Sequence, residues 1–426
     1  MRNILRALAI LVLGLAATGL AQAVQPLQPL IDATPHGGTL SPDPGVYSGP
    51  VVISKPITLI GNRNVVIDNG GVGTNVVIET DGATIDGLVL INSGQLHHTI
   101  DSGVHIRGDY NIVKNCLMEN VLFGIDLQQS NRNVVKNNRI TSLRDETGMR
   151  GDSVRLWYSM HNKILDNVMT DARDMVVWYS ESNRIAGNYL ARGRYGIHFM
   201  YSRYNLVEEN RFVDNSIGAY LMFSDGVEFR KNYIAKSNGP SGIGIGFKEA
   251  SSIKVDDNEI LGNAVGISID VSPYQPDTVN SIRGNRIAFN AVGVAIINDW
   301  HGNEFERNDF KGNFTQVMVG GGGGALRHLW NDNYWDVYQG FDEDGDGRGD
   351  APFELYSYAD RLWMDVIPAA FFRGSPILEL VDFLERLAPF SEPKLLVHEK
   401  GPRIKRSNAL REMLASGEPP ATKARN

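Results

Sequence analysis

The residues of this chain most able to do chemistry are histidines and methionines that recur at one strand phase. Counted from Gly196 as position one, His198 and Met200 stand at positions three and five of a short segment in which buried and outward positions alternate. Met222 takes position five of the next such segment, which begins at Gly218. Alternate side chains of a strand point to one face, so the three share an outward face, with Trp157 and Tyr179 just below. Cu(I) prefers thioether and imidazole ligands to carboxylates. The pattern predicts a copper contact; an adhesive apolar surface is the alternative.

Two connecting segments add further soft ligands. The segment before Gly103 carries His97 and His98, and an insertion before Ser153 carries Met149. Both leave the same corner of the repeat, two coils apart, which is about 10 Å along the axis. We expect these loops to offer imidazole and thioether groups to copper, and an ordinary structural role is the alternative.

An acidic loop near the C-terminal end matches part of a calcium-binding loop. Asp342, Asp344, Asp346 and Asp350 supply loop positions one, three, five and nine, and Gly347 stands at position six. Position twelve holds a phenylalanine where a bidentate glutamate is expected, and a glutamate follows one residue late. The loop predicts either a calcium site or an acidic turn.

The strand faces also bear on catalysis. Asp126 and Arg155 occupy adjacent rungs, but no second or third outward carboxylate flanks them. A glycosidase needs two carboxyl groups about 5–10 Å apart, and a lyase of the pectin type needs clustered carboxylates for calcium. The sequence therefore predicts no catalytic residue. A polysaccharide-modifying enzyme or a carbohydrate-binding protein remains the alternative.

An internal repeat supplies the elements that position these residues. A glycine-like ladder and an asparagine ladder run through the chain together, with steps mostly of 21 to 24 residues. The offset between the ladders is 14 residues in five consecutive repeats, from positions 124 and 138 to positions 218 and 232. The ladders comprise Gly103, Gly124, Ser153, Asp174, Gly196, Gly218, Gly242, Gly266 and Gly293, and Asn115, Asn138, Asn167, Asn188, Asn210, Asn232, Asn258, Asn285 and Asn308.

Each glycine-like position precedes an apolar-x-apolar triplet, which is typical of a short strand with one buried face. One coil of a parallel β-helix fits this period, with the asparagines at a corner, where their amides bond the backbone. The rule for parallel crossovers makes the coil right-handed. The sequence thus predicts an all-β fold, a right-handed parallel β-helix over residues 24–335, with a short helical C-terminal segment.

The two ends of the chain carry further predictions. Residues 1–23 are typical of a signal peptide, with a retained membrane anchor as the alternative, so we expect the mature protein in the periplasm.

Residues 336–391 hold the acidic loop and an apolar segment, in which Ser375 and Pro376 open a helix. Its apolar stripe should cap the last coil, dock on a partner, or do both. Residues 392–426 should form a disordered tail. The stripe comprises Ile377, Leu380, Val381, Phe383, Leu384 and Leu387.

The asparagine-bearing repeats resemble the carbohydrate-binding and sugar-hydrolase β-helix family over about residues 30–390. The combination of export signal, β-helix, a turn at residues 331–336, acidic loop and apolar segment resembles, within it, periplasmic accessory proteins encoded with an ABC transporter. Those proteins serve the maturation of nitrous oxide reductase. The resemblance implies docking on the transporter's permease, which works with an ATPase. It also implies contact with a copper chaperone and the reductase, and transient handling of Cu(I) or sulfur.

Composition and charge disfavour several other classes. The net charge is −8, whereas nucleic-acid binders are normally strongly basic. The single cysteine, Cys116, excludes an internal disulfide framework and a four-cysteine metal site. The 45 glycines indicate a turn-rich chain, which argues against a helical bundle.

Overall fold

The computed structural model describes residues 24–143, 146–298, 301–320, 325–357, 375–388 and 392–406. The expected signal peptide, the apolar stretch 358–374 and the end of the tail lie outside the described residues.

The chain coils into a parallel β-solenoid of about 13 turns, whose strands stack in three columns. The first column, which we name the front sheet, has 12 strands. These are Val51–Ile53, Val76–Ile78, Ser102–Ile106, Phe123–Gln128, Val154–Trp157, Asp174–Trp178, Tyr195–Met200, Ile217–Met222, Ile243–Lys248, Val265–Asp270, Val292–Ile296 and Thr315–Val319. The parallel solenoid is confirmed, and its right-handed sense stays a prediction.

The other two columns complete each coil and are joined near the N-terminal end by two long strands, Thr58–Asp68 and Thr84–Ile91, which take part in both. The second column also contains Thr39–Leu40, Ile112–Lys114, Val134–Lys136, Lys163–Leu165, Arg184–Ala186, Leu206–Glu208, Glu228–Arg230, Lys254–Asp256, Asn280–Arg283, Asn303–Glu306 and Leu329–Asn331. The third also contains Gln25–Pro26, Gly45–Ser48, Leu117–Val121, Arg139–Ser142, Val168–Thr170, Tyr189–Ala191, Arg211–Val213, Tyr233–Ala235, Glu259–Leu261, Arg286–Ala288, Asp309–Lys311 and Tyr334–Trp335.

Both sequence ladders have a steric or polar cause. A Cβ on Gly218 would lie 2.6 Å from the carbonyl oxygen of Gly244 in the next coil, so the close approach of coils favours glycine. The side chain of Asn138 accepts a hydrogen bond from the Cys116 amide at 3.0 Å and donates to the Val113 carbonyl at 2.9 Å. The backbone amide of Asn138 donates a hydrogen bond to the side-chain oxygen of Asn167 at 2.9 Å, which continues the ladder to the next coil. The asparagines are therefore structural.

The last coil is covered by an antiparallel strand pair, Phe353–Ser357 with Lys394–Glu399. The ring of Phe353 stacks on Trp335 with 4.5 Å between centroids. The buried Glu399 carboxylate accepts hydrogen bonds from the Trp335 indole at 2.7 Å and from the Asn333 amide at 2.7 Å. The prediction of disorder from residue 392 onward is thus wrong for 392–399, because this segment satisfies polar groups at the open end of the solenoid.

The expected C-terminal helix spans Pro376–Leu387, with Ser375 at its N-cap but without a capping hydrogen bond from its side chain. Five of the six residues of its apolar stripe are exposed, from 45% at Leu384 to 75% at Ile377, and Val381 is partly buried. The prediction that this stripe caps the last coil therefore finds no support, and the strand pair provides the cover instead. The remaining helices of the described ranges are Gln28–Ala33 and a 3-10 turn, Thr147–Met149. Within those ranges no helix has both the length and the apolarity that a membrane crossing requires.

Candidate functional site

The front sheet displays two outward columns of side chains, which we name the third-position and fifth-position columns. The third-position column reads His105, Asp126, Arg155, Val176, His198, Tyr220, Gly246, Ser268, Ala295 and Met318. The fifth-position column reads Gln128, Trp157, Trp178, Met200, Met222, Lys248 and Asp270.

The predicted phase is right for the histidine and methionines and wrong one coil below. Trp178, and not Tyr179, lies in register between Trp157 and Met200. Trp178 stands four residues after Asp174, as Met200 does after Gly196, so the regular count from the ladder residue gives Trp178, and the expected Tyr179 is one residue too far along the chain. Tyr179 lies at the following turn, where its ring stacks on neighbouring tyrosines at centroid distances of 4.8 and 5.2 Å.

His198 and Met222 meet on this face. The Nε2 atom of His198 lies 3.3 Å from the Sδ atom of Met222, which is one rung away. His198 is 5% exposed, and burial lowers the pKa of its imidazole to about 4. A neutral imidazole nitrogen and a thioether sulfur therefore face each other, which is a donor pair suited to a soft monovalent metal.

Aromatic rings surround His198, and the sequence reasoning did not single them out. Trp178 makes an edge-on contact with the imidazole at 5.7 Å between centroids, and the Tyr195 ring lies at 4.9 Å. Tyr195 also stacks on Tyr220, the rung neighbour of His198. The signal for Tyr195 was available, because it directly precedes the ladder residue Gly196.

Met200 adds a second thioether sulfur to this face, because it is in register with Met222. It lies in the fifth-position column between Trp178 and Met222, and both methionines are half-buried. Met169 and Met175, by contrast, are buried in the core. We name His198, Met200 and Met222 the soft-ligand group.

Two buried carboxyl groups, Asp152 and Asp174, border the soft-ligand group at the start of the strands, each with an arginine partner. Arg173 donates to Asp152 at 2.9 and 3.1 Å, and Arg194 makes an ion pair with Asp174. Burial raises the pKa of the Asp152 carboxyl to about 7. The adjoining cavity of about 10 Å³, lined by Arg173, Asp174 and Tyr195, has room for one water at most. This cavity therefore leaves no room for a sugar beside the two carboxyl groups.

The predicted loop residues also come together in part. The Nε2 atom of His97 lies 3.0 Å from the Met149 carbonyl oxygen, and the imidazole makes an edge-on contact with Phe123. His97, His98 and Met149 are all exposed, and the Met149 side chain is 61% exposed. Among the residues that the structure describes, no hydrogen bond or ring contact joins these loops to His198. The two soft-ligand sets are therefore separate features.

The acidic loop gathers three of its four predicted carboxylates. Oxygen atoms of Asp342, Asp344 and Asp350 lie within 4.8 Å of one another, and Asp346 is not in this group. Each carboxylate accepts a hydrogen bond from the loop's own backbone, for example from Gly345 to Asp342 at 2.8 Å. These bonds account for the loop as an acidic turn, and calcium binding gains no support from them.

Asp126, the carboxylate that the enzyme alternative would have to use, is fully buried. Its carboxylate lies 2.8 Å from Arg155 and 2.8 Å from His105 Nδ1. The other carboxylate of the two outward columns, Asp270, lies six rungs away, roughly 29 Å at about 4.8 Å a rung. That separation is well beyond the 5–10 Å of a glycosidase pair.

Comparison with known proteins identifies similar chains. A family model described as "Periplasmic copper-binding protein (NosD)" matches residues 142–340. A probable ABC transporter binding protein NosD of Pseudomonas aeruginosa is 26% identical over 414 residues, covering 90% of this chain and 91% of the relative. The protein of the same description from Stutzerimonas stutzeri is 24% identical over 377 residues, covering 81% and 82%.

Solved structures share the fold at lower identity. The A-module of mannuronan C-5 epimerase AlgE4 from Azotobacter vinelandii aligns with a TM-score of 0.57 and 16% identity, covering 72% of this chain and 97% of that module. The catalytic domain of a GH87 α-1,3-glucanase aligns with a TM-score of 0.54 and 13% identity, covering 74% and 68%. These likenesses show a shared β-solenoid fold and carry no statement about activity.

Proposed function

The chain belongs to the NosD family, and from that premise we propose that it is a periplasmic accessory protein of an ABC transporter. In this role it takes part in delivering copper, or sulfur, for the maturation of nitrous oxide reductase. Its partners are the transporter permease with its ATPase, a copper chaperone and the reductase itself. The protein acts by binding and handing over a substrate, without catalysis of its own.

One observation carries the copper role, the contact of His198 Nε2 with Met222 Sδ at 3.3 Å. The imidazole is neutral over the physiological pH range because burial lowers its pKa to about 4. Cu(I) is the biological cation that combines preference for thioether sulfur with preference for imidazole nitrogen. With Met200 in register beside Met222, the soft-ligand group can supply one nitrogen and two sulfurs.

Partial exposure of the methionines suits transfer better than storage. Met200 and Met222 are half-buried, so an incoming donor protein can reach the sulfurs while the imidazole stays fixed among aromatic rings. The exposed loop residues His97, His98 and Met149 form a second soft-ligand set, which we propose as an entry or exit point.

Docking on the transporter falls to a different part of the chain. The helix Pro376–Leu387 exposes Leu380, Phe383 and Leu387 by 56%, 56% and 68%. A stripe of this kind is rarely left in water unless a partner covers it. We propose that the permease covers it.

The copper role is tested by measuring Cu(I) affinity in competition with a chromophoric chelator under reducing conditions. The changes Met200→Leu and Met222→Leu together should weaken binding, and so should His97→Ala with His98→Ala if the loops take part. Leucine conserves volume, so each methionine change should cost less than about 1.5 kcal/mol of stability.

The core residue Met169 provides the matched control, because Met169→Leu makes the same chemical change away from the face. Copper affinity should be unchanged in that variant. If both double variants bind Cu(I) as the wild type does and support normal reductase maturation, the copper role is wrong and a scaffold role remains.

A further inference from the structure

The second nitrogen of His198 has no hydrogen-bond partner within the described part of the chain. Nδ1 is buried and makes no hydrogen bond with any residue that the structure describes, while Nε2 faces Met222. Copper-binding through Nε2 places the ring proton on Nδ1, since a neutral imidazole carries one proton. The proton would then sit on a buried atom without an acceptor, which lowers the affinity of the site for the metal.

Metal-binding histidines normally donate this proton to a carboxylate, a carbonyl oxygen or a water. Loss of such a partner typically costs 10- to 100-fold in metal affinity. The partner fixes the ring orientation and makes the metal-binding nitrogen more basic. No residue that the structure describes gives His198 this support.

The same column shows how a carboxylate can be placed beside a histidine. His105 has Asp126 as its rung neighbour, and a carboxylate oxygen of Asp126 lies 2.8 Å from His105 Nδ1, as an ion-pair contact without a hydrogen bond between the two atoms. The rung neighbours of His198 are Val176 below and Tyr220 above. One offers methyl groups and the other an aromatic ring that leans over Gly246 in the next coil. Residue type at these positions, rather than the backbone, thus decides whether the histidine has an acceptor.

We propose that Val176 and Tyr220 are positioning residues that make copper exchangeable, by withholding a hydrogen-bond acceptor from His198. The inference rests on the proposed function and specifies how the site releases its metal. Cu(I) held by an unsupported imidazole and thioethers dissociates fast enough to pass to a partner. An acceptor in the third-position column would convert a transfer site into a storage site.

The test places an amide where Asp126 stands relative to His105. Tyr220→Asn offers an acceptor to Nδ1, and Tyr220→Leu is its matched control, because both remove the tyrosine and only one carries an amide. Cu(I) delivered from a chelator complex should dissociate at least tenfold more slowly from the asparagine variant than from the leucine variant. The ¹⁵N chemical shift of Nδ1 should show a hydrogen bond in the asparagine variant and none in the wild type.

Val176→Thr, nearly isosteric with the wild type, gives a second route to an acceptor if Tyr220→Asn does not fold. Equal Cu(I) dissociation rates in each acceptor variant and its control would overturn the inference, and so would a hydrogen-bonded Nδ1 in the wild type. Either result leaves the proposed function standing. If the wild type binds no Cu(I) at all, the proposed function itself fails.

Discussion

The imidazole of His198 shows how position in a solenoid sets the chemistry of a side chain. The ring is 5% exposed, and burial among Trp178 and Tyr195 disfavours its charged form, which lowers its pKa to about 4. Protonation therefore competes with metal only in strongly acidic solution. The same shift destabilises the fold on acidification, since the unfolded chain takes up this proton first as pH falls from about 6.5 toward 4.

Copper affinity should consequently be nearly independent of pH between 7.5 and 5. At pH 5 an imidazole with a pKa of about 4 is still mostly neutral, so the affinity should fall less than about twofold, whereas an ordinary histidine would lose about 30-fold. Competition with a chelator calibrated at each pH measures the change. A 30-fold loss at pH 5 would show that His198 titrates normally or that another histidine binds the metal.

Asp152 should give the fold the opposite dependence on pH. Burial raises its pKa to about 7, above the unfolded value, so its contribution to the free energy of unfolding is present at low pH and is lost as pH rises toward 7. Asp152→Asn should therefore gain stability relative to the wild type between pH 5 and pH 7, by up to about 1.4 kcal/mol per pH unit. Urea unfolding at both pH values measures this difference.

The matched control is Asp171→Asn. The hydrogen bond from Arg192 lowers the pKa of Asp171, so this carboxyl stays ionised from pH 5 to pH 7 in both states. Its profile should run parallel to that of the wild type. A parallel profile for Asp152→Asn as well would show that Asp152 is already ionised at pH 5.

The face on which a single residue lies was predictable from sequence where one glycine marks the start of the strand. It was not predictable where the glycine pattern fits two registers. His198, Met200 and Met222 follow a regular glycine-led strand, and their shared face is confirmed. Gly242 was assigned to the ladder, but Gly244 takes that position, because the run Gly-Ile-Gly-Ile fits the pattern in two registers. The contact of His198 with Met222 needed the structure, since phase places residues on a face without fixing rotamers.

At the scale of elements, buried amides hold one coil to the next. Asn138 satisfies the Cys116 amide and the Val113 carbonyl, both buried, and continues to Asn167. Replacing it leaves these groups without partners, and each buried unsatisfied group costs about 1–3 kcal/mol.

Asn138→Ala should therefore lower the free energy of unfolding by roughly 2–6 kcal/mol. The exposed neighbour Asn137 has a positive φ of 55°, so Asn137→Gly is the control, and it should change stability by less than about 1 kcal/mol. Urea unfolding measures both, and hydrogen exchange at the Cys116 amide should accelerate only in the alanine variant. Equal stabilities would show that water replaces the ladder amide.

The end of the solenoid was the least predictable element. Glu399 reaches Trp335 and Asn333 across more than 60 residues, and no local pattern marks such a contact. The segment from residue 392 onward was expected to be disordered, because charged and polar residues in a sequence are assumed to face solvent when their partners are not known. The ladders, in contrast, were evident because the same contact repeats in coil after coil.

At the scale of the whole molecule, the two tasks that we propose fall to different parts of the chain. The soft-ligand group lies on strands in the middle of the front sheet, and the exposed helix follows the last coil in sequence. Coils contact mainly their neighbours, so a change at one task should leave the other intact. Copper binding and transporter docking are therefore expected to be lost independently.

The exposed helix provides the last prediction. Leu380→Asp with Leu384→Asp puts two charges into a stripe that is 56% and 45% exposed at these positions, so the solenoid should fold as before while an apolar contact with the permease becomes unfavourable. Co-purification with the permease should be abolished, whereas Cu(I) affinity and the β-sheet circular dichroism should not change. Met200→Leu with Met222→Leu should give the converse result. If the aspartate variant still co-purifies, docking lies elsewhere on the chain, and if its sheet signal collapses, the helix serves the fold rather than the transporter.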